Sequence, residues 1–148
     1  MPGLLPTLTS EDAPEETTSR WSHIGRFLRV DVATGWVDDN FAAWSGCVED
    51  RLSPDERAVA YEEWADFWEW RLARREPELA SDRRKRHLVA KWTDSMAYSC
   101  RRSAAWARGG DPGLWIPQSR RRPDLYAEGQ AVVAGIIAAL DPCHRPAA

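Results

Sequence analysis

Residues 53–76 read SPDERAVAYEEWADFWEWRLARRE, and their spacing decides the fold. Ser53 can cap the orphan amides of a helix start, Pro54 suits the first helical position, and Glu56 completes a capping box. Tyr61, Trp64, Trp68 and Leu72 then recur at steps of three or four, so they share one side of a helix, with Phe67 and Trp70 widening the apolar arc. Glu62, Glu63, Asp66 and Glu69 occupy the other sides. Acidic Asp55 and Glu56 in the first turn and basic Arg71, Arg74 and Arg75 in the last follow the helix dipole, and Pro77 is expected to end the helix. This segment predicts the keel of an all-α, compact bundle of four to five helices. Trp70, off the main stripe, is the candidate anchor for a partner, together with Arg71 and Arg74, because tryptophan and arginine dominate interface hot spots.

The 148 residues suit one domain able to bury a core without metals or disulfides. Cys47, Cys100 and Cys143 are far apart and odd in number, which argues against a zinc ribbon or a disulfide scaffold and for a reducing, cytoplasmic setting. Residues 1–12 carry no basic side chain, so no secretory signal is expected in them. The longest apolar run, Ala131 to Leu140, is about half of the roughly 20 residues that a membrane helix needs, so no membrane partner is expected. Arginine outnumbers lysine 18 to 2, a composition that suggests a high-GC bacterial source. The net charge of -3 conceals a division: residues 1–70 carry net -10 and residues 71–148 net +7. Either the halves neutralise each other in the fold, or the basic half meets an anionic partner.

Outward from the keel, residues 1–18 are expected to be a disordered acidic, proline-rich tail, residues 19–142 a single helical domain, and residues 143–148 a disordered C-terminal tail. Trp21, Ile24, Phe27 and Leu28 fit a short helix. Phe27 to Val32 also alternates, and Ala33-Thr34-Gly35 followed by Trp36-Val37 would close a short N-terminal β-hairpin. Residues 26–37 are open between the two, because two isolated strands are marginal. Asp38, Asp39 and Asn40 offer caps for a helix carrying Phe41, Trp44, Val48 and Leu52 and ending before Pro54. Ser81 or Asp82 can cap a long helix to about Arg108, stopped by the glycines of Gly109-Gly110-Asp111-Pro112-Gly113. Its expected core stripe is Leu88 or Val89, Trp92, Met96, Ser99 or Cys100, and Ala104 or Ala107. Trp115, Ile116 and Pro117 are expected to fold back on the core, with Arg120, Arg121 and Arg122 outside. The last helix starts near Pro123-Asp124 and runs through Val132, Val133, Ile136, Ile137 and Leu140. Its apolar arc is wide, so it should lie centrally in the bundle or be covered by a second subunit.

The chemistry-bearing patterns are few. Arg83, Arg84, Lys85 and Arg86, then Arg101 and Arg102, then Arg120, Arg121 and Arg122 could grip phosphates, with Trp92, Trp106 and Trp115 available to stack on bases. Glu76, Glu78, Asp82 and Asp94 dilute that field. His23, His87 and His144 stand in no ligand spacing, so no metal or cofactor is expected. Neither Cys47 nor Cys100 neighbours a histidine, so no nucleophile is assigned. The nine tryptophans are expected to be chiefly core.

The reading is a small cytoplasmic bacterial accessory or adaptor protein that binds another macromolecule, a protein partner or a second copy of itself, without catalysis of its own. Two other readings stand beside it: a nucleic-acid-binding regulator using the basic half, and a small helical enzyme with a Trp-lined pocket for a hydrophobic or aromatic substrate.

Overall fold

The computed structural model describes residues 20–141 and Cys143; the two expected tails fall outside these, apart from Cys143. Two short strands, β1 (Leu28–Val30) and β2 (Val37–Asp39), are followed by five helices: α1 (Phe41–Cys47), α2 (Pro54–Leu79), α3 (Arg83–Ala107), α4 (Gln118–Arg121) and α5 (Pro123–Leu140). The fold is all-α with one short antiparallel hairpin. No helix among the described residues is long and apolar enough to cross a membrane. The chain divides into two compact units, one of residues up to Arg71 with Met96–Pro112, the other of Leu72–Ser95 with residues from Gly113 onward. Both long helices contribute a segment to each.

The first unit is organised by aromatic rings. Trp21, Trp44, Trp64, Phe67 and Trp68 are buried, and rings meet mainly edge to face, as between Phe41 and Trp64 at 5.2 Å and between Trp44 and Tyr61 at 5.0 Å. Such contacts add about 0.5–1.5 kcal/mol each beyond the area they bury. Residues 26–37 resolve in favour of the hairpin: Leu28 pairs with Asp39 and Val30 with Val37, and Gly35 turns the chain at φ 73°. Two strands alone would be marginal, but Leu28 and Val37 bury their side chains in the aromatic core, which stabilises the pair. Asp38 and Asp39 therefore belong to β2, and Asn40 caps α1 by accepting from the Ala43 amide. The helix on Phe41 and Trp44 ends at Cys47, short of Leu52, and the chain continues through a 3-10 turn at Glu49–Arg51.

Ser53 caps α2 as its position predicts, accepting from the Glu56 amide at 3.2 Å. Pro77 does not end it. The helix continues to Leu79, because a proline in the last turn removes only one amide donor, while the added residues bury Leu79 to 2 % exposure. Asp82 caps α3 through the Lys85 amide, and Gly109, at φ 77°, follows its end. The core stripe of α3 runs through His87, Thr93, Ala97, Cys100 and Ala104. Of the expected stripe, Trp92 is 46 % exposed, and of the two residues offered for its first position Leu88 is 53 % exposed while Val89 is half-buried. In the first unit, rings loaded onto α2 leave room only for small side chains opposite, so Ala97, Cys100 and Ala104 set the seam.

Candidate functional site

The second unit has a thin core. Among its described residues only Leu79, His87, Thr93 and Leu125 are buried. Its polar hub is Asp94 on α3, whose carboxylate accepts from the Gln118 amide at 2.8 Å and from the Arg121 guanidinium at 3.0 Å. Both ionic partners are largely sheltered, Asp94 at 12 % and Arg121 at 14 % side-chain exposure. Arg121 also donates to the Ile116 carbonyl, and Gln118 to the Lys91 carbonyl. These bonds draw Arg121 inward and leave Leu114, Trp115 and Ile116 exposed. The expected arrangement of this loop, rings in and arginines out, is reversed for Trp115, Ile116 and Arg121. The reason is that a sheltered carboxylate on α3 needs donors, and this loop supplies them.

Against this hub lies α5, which does not lie centrally. Only Leu125 is buried on it; Gly129, Val132 and Ile136, which follow at steps of three or four, are half-buried. Tyr126, Val133, Ile137 and Leu140 are 52 %, 51 %, 61 % and 78 % exposed. An 18-residue helix packed along one stripe turns the rest of its circumference to solvent, and here the rest is apolar. From Gly129 to Leu140 it carries no charged side chain. Arg83 on α3 clasps Glu128 at 2.7 and 3.1 Å, and that guanidinium holds the Glu128 carboxyl below the usual carboxylate range. Arg122 does the same to Asp124 at the helix start.

Between the first half of α3 and α5 runs a groove of about 280 Å³. Arg84 and Lys91 stand at its basic side, and Leu88, Tyr126, Val133 and Ile136 form its apolar wall. No tryptophan lines it. His87 is at its floor, 7 % exposed, with Nδ1 buried and without a hydrogen-bond partner among the described residues. The imidazole lies against the backbone of Gly129.

The residues singled out from the sequence separate between the units. Trp70 and Arg71 belong to the first. Trp70 is half-buried and meets Trp21 edge-on at 4.8 Å, while Arg71 donates to the Val37 carbonyl and to Asp39 and lies over the rings of Trp36 and Phe67. Arg74 is exposed on the part of α2 that belongs to the second unit. Of the basic set, Arg101 pairs with Glu69, Arg102 bonds the Pro112 carbonyl, Arg83 and Arg86 face Glu128, and Arg121 and Arg122 face Asp94. Arg84, Lys85 and Arg120 are exposed. Trp92, Trp106 and Trp115 are exposed too, so a third of the tryptophans lie on the surface. Sequence reasoning did not single out His87 and Gly129 as a pair, because they are 42 positions apart and neither stands in a motif. Among the described residues no group of three or more His, Cys, Asp or Glu could hold a metal ion.

Compared with protein-family models, with curated proteins and with solved structures, the chain matches none.

Proposed function

We propose that this is an accessory or adaptor protein of the bacterial cytoplasm that works by binding another macromolecule, and that α5 is the surface it binds with. The observation that carries this reading is the exposure of Tyr126, Val133, Ile137 and Leu140 on a helix without a charge between Gly129 and Leu140. A contiguous apolar face of a few hundred Å² is the size of patch that marks an interaction surface. The thin core of the unit that bears α5 adds a motive, since covering that face would bury apolar area the unit lacks. Three free cysteines, two of them exposed, suit a reducing compartment. The nucleic-acid reading draws less support, because six of the nine basic residues that would carry it bond to carboxylates or a backbone carbonyl.

A photo-reactive benzophenone side chain at position 137 tests the proposal in the cells that make the protein. A discrete cross-linked adduct is expected from position 137 and not from exposed Arg29 in the first unit. A smear or no adduct from position 137 would defeat it.

A further inference from the structure

We infer that the partner of α5 is the α5 of a second copy of this chain, packed antiparallel. The inference rests on the binding role proposed above and names its occupant. Ala127, Ala131, Ala134 and Ala138 are all exposed, and their spacing of four, three and four is that of a two-helix seam. At 100° per residue they lie on the side of α5 opposite Leu125, Gly129, Val132 and Ile136. Alanines along a seam let two helix axes approach to about 8 Å, the near limit for packed helices. Tyr126, Val133 and Ile137 lie together to one side of the seam, where an antiparallel pair brings the same edge of both copies together.

Charge decides the occupant and the direction. With no charged side chain from Gly129 to Leu140, two identical faces meet without repulsion and without stripping water from an ion. An antiparallel pairing opposes the helix dipoles and sets Asp141 of one helix level with the Arg122–Asp124 ion pair of the other. A parallel pairing would bring Asp141 to Asp141 and Glu128 to Glu128. The area is sufficient for a dissociable dimer. A helix of 18 residues is about 27 Å long and about 10–12 Å across, so its outward half presents on the order of 500 Å². Two copies would bury on the order of 1,000 Å², the lower bound for a specific interface.

Sedimentation of the full chain from about 1 to about 200 µM spans the dissociation constants typical of an interface at that lower bound. The mass is expected to rise from 16.8 kDa toward twice that value. Ala134→Glu, which places a carboxylate in the middle of an exposed seam, should remain at the lower mass throughout with helical content and melting temperature retained. Orientation is read by oxidation in a background carrying Cys47→Ser and Cys143→Ser. Ala127→Cys combined with Ala138→Cys should form a disulfide-linked dimer, because antiparallel packing about the Ala131 to Ala134 contact brings 127 to 138. Ala127→Cys alone should not, since its two copies would lie about 16 Å apart along the helix axis, too far to bridge. A wild-type chain that stays at 16.8 kDa, an Ala134→Glu variant that still dimerises, or cross-linking by Ala127→Cys alone in place of the pair would each overturn the inference. A monomer that nevertheless yields a discrete, heavier adduct from position 137 overturns self-pairing and leaves the binding role standing; no adduct removes both.

Discussion

Gly129 on α5 makes room for His87 on α3: a methyl group at position 129 would come within 2.8 Å of Nε2 and 3.0 Å of Cε1 of the imidazole. The only glycine of α5 that meets a neighbour is thus the one facing the buried histidine of the groove, and the two residues fix how closely α5 lies against α3.

Gly129→Ala sets two effects against each other. Alanine in a helix interior gains about 1 kcal/mol over glycine, whereas forcing a methyl into a filled contact costs about 1–3 kcal/mol. Because the imidazole is already buried, the steric effect should win. The net loss of up to about 2 kcal/mol should lower the thermal midpoint by up to about 8 °C, at about 2–4 °C per kcal/mol for a chain of this size. Gly135→Ala is the control, since nothing lies within 4 Å of a methyl there; it should match or exceed the wild type. A stabilised Gly129→Ala would mean that His87 is held loosely.

Asp94→Ala should loosen the α4 region. The change leaves Arg121, at 14 % exposure, without its carboxylate and deprives Gln118 of an acceptor. For a pair this sheltered but not fully buried, the loss should be about 1–3 kcal/mol, below the value for a wholly buried pair. Trypsin is the direct probe: cleavage after Arg120 and Arg121 should accelerate relative to cleavage elsewhere. Unchanged digestion would show that the hub is not what holds the loop.

Burial pushes the Cys100 thiol from 9.0 up to about 12, and burial followed by its hydrogen bond to Glu49 raises the Tyr61 hydroxyl as well. Both groups hold their protons more tightly folded than unfolded. Between pH 9 and about 12 the unfolded chain therefore binds fewer protons at Cys100, and stability should fall as pH rises through that window. Cys100→Ala should flatten part of the decline measured by urea unfolding. In the native state a maleimide should label Cys47 and Cys143 only, with Cys100 reacting after denaturation. Labelling of all three at neutral pH would contradict its burial.

Trp70→Ala should destabilise the first unit by about 3–5 kcal/mol, the range for deleting a packed aromatic side chain, discounted toward its lower end because Trp70 is only half-buried. The ring packs on Trp21 and Phe67, and both would lose an aromatic neighbour. A variant with an unchanged melting temperature that no longer engages a partner would instead make Trp70 a surface anchor.

The local grammar of this chain was legible. Ser53, Asn40 and Asp82 cap helices because a side-chain oxygen beside free amides acts over a few residues, and Gly35 and Gly109 turn the chain because only glycine takes a positive φ without strain. What was not legible depended on partners distant in the chain. The Arg121 guanidinium turned inward because Asp94, 27 positions away, needed a donor. Leu88 and Trp92 turned outward although their spacing suits a core stripe.

From the residues themselves came the helical class, a range of four to five helices that holds the five observed, the capped starts of α1, α2 and α3, and the apolar breadth of α5. Periodicity and capping are short-range physics, so a linear string carries them. Only the tertiary structure decided which face of α3 is buried, how the arginines are shared among carboxylates, that His87 rests on Gly129, and that the outer face of α5 is left uncovered. Those outcomes follow from packing volume and charge pairing between segments tens of residues apart, and no single segment contains that information.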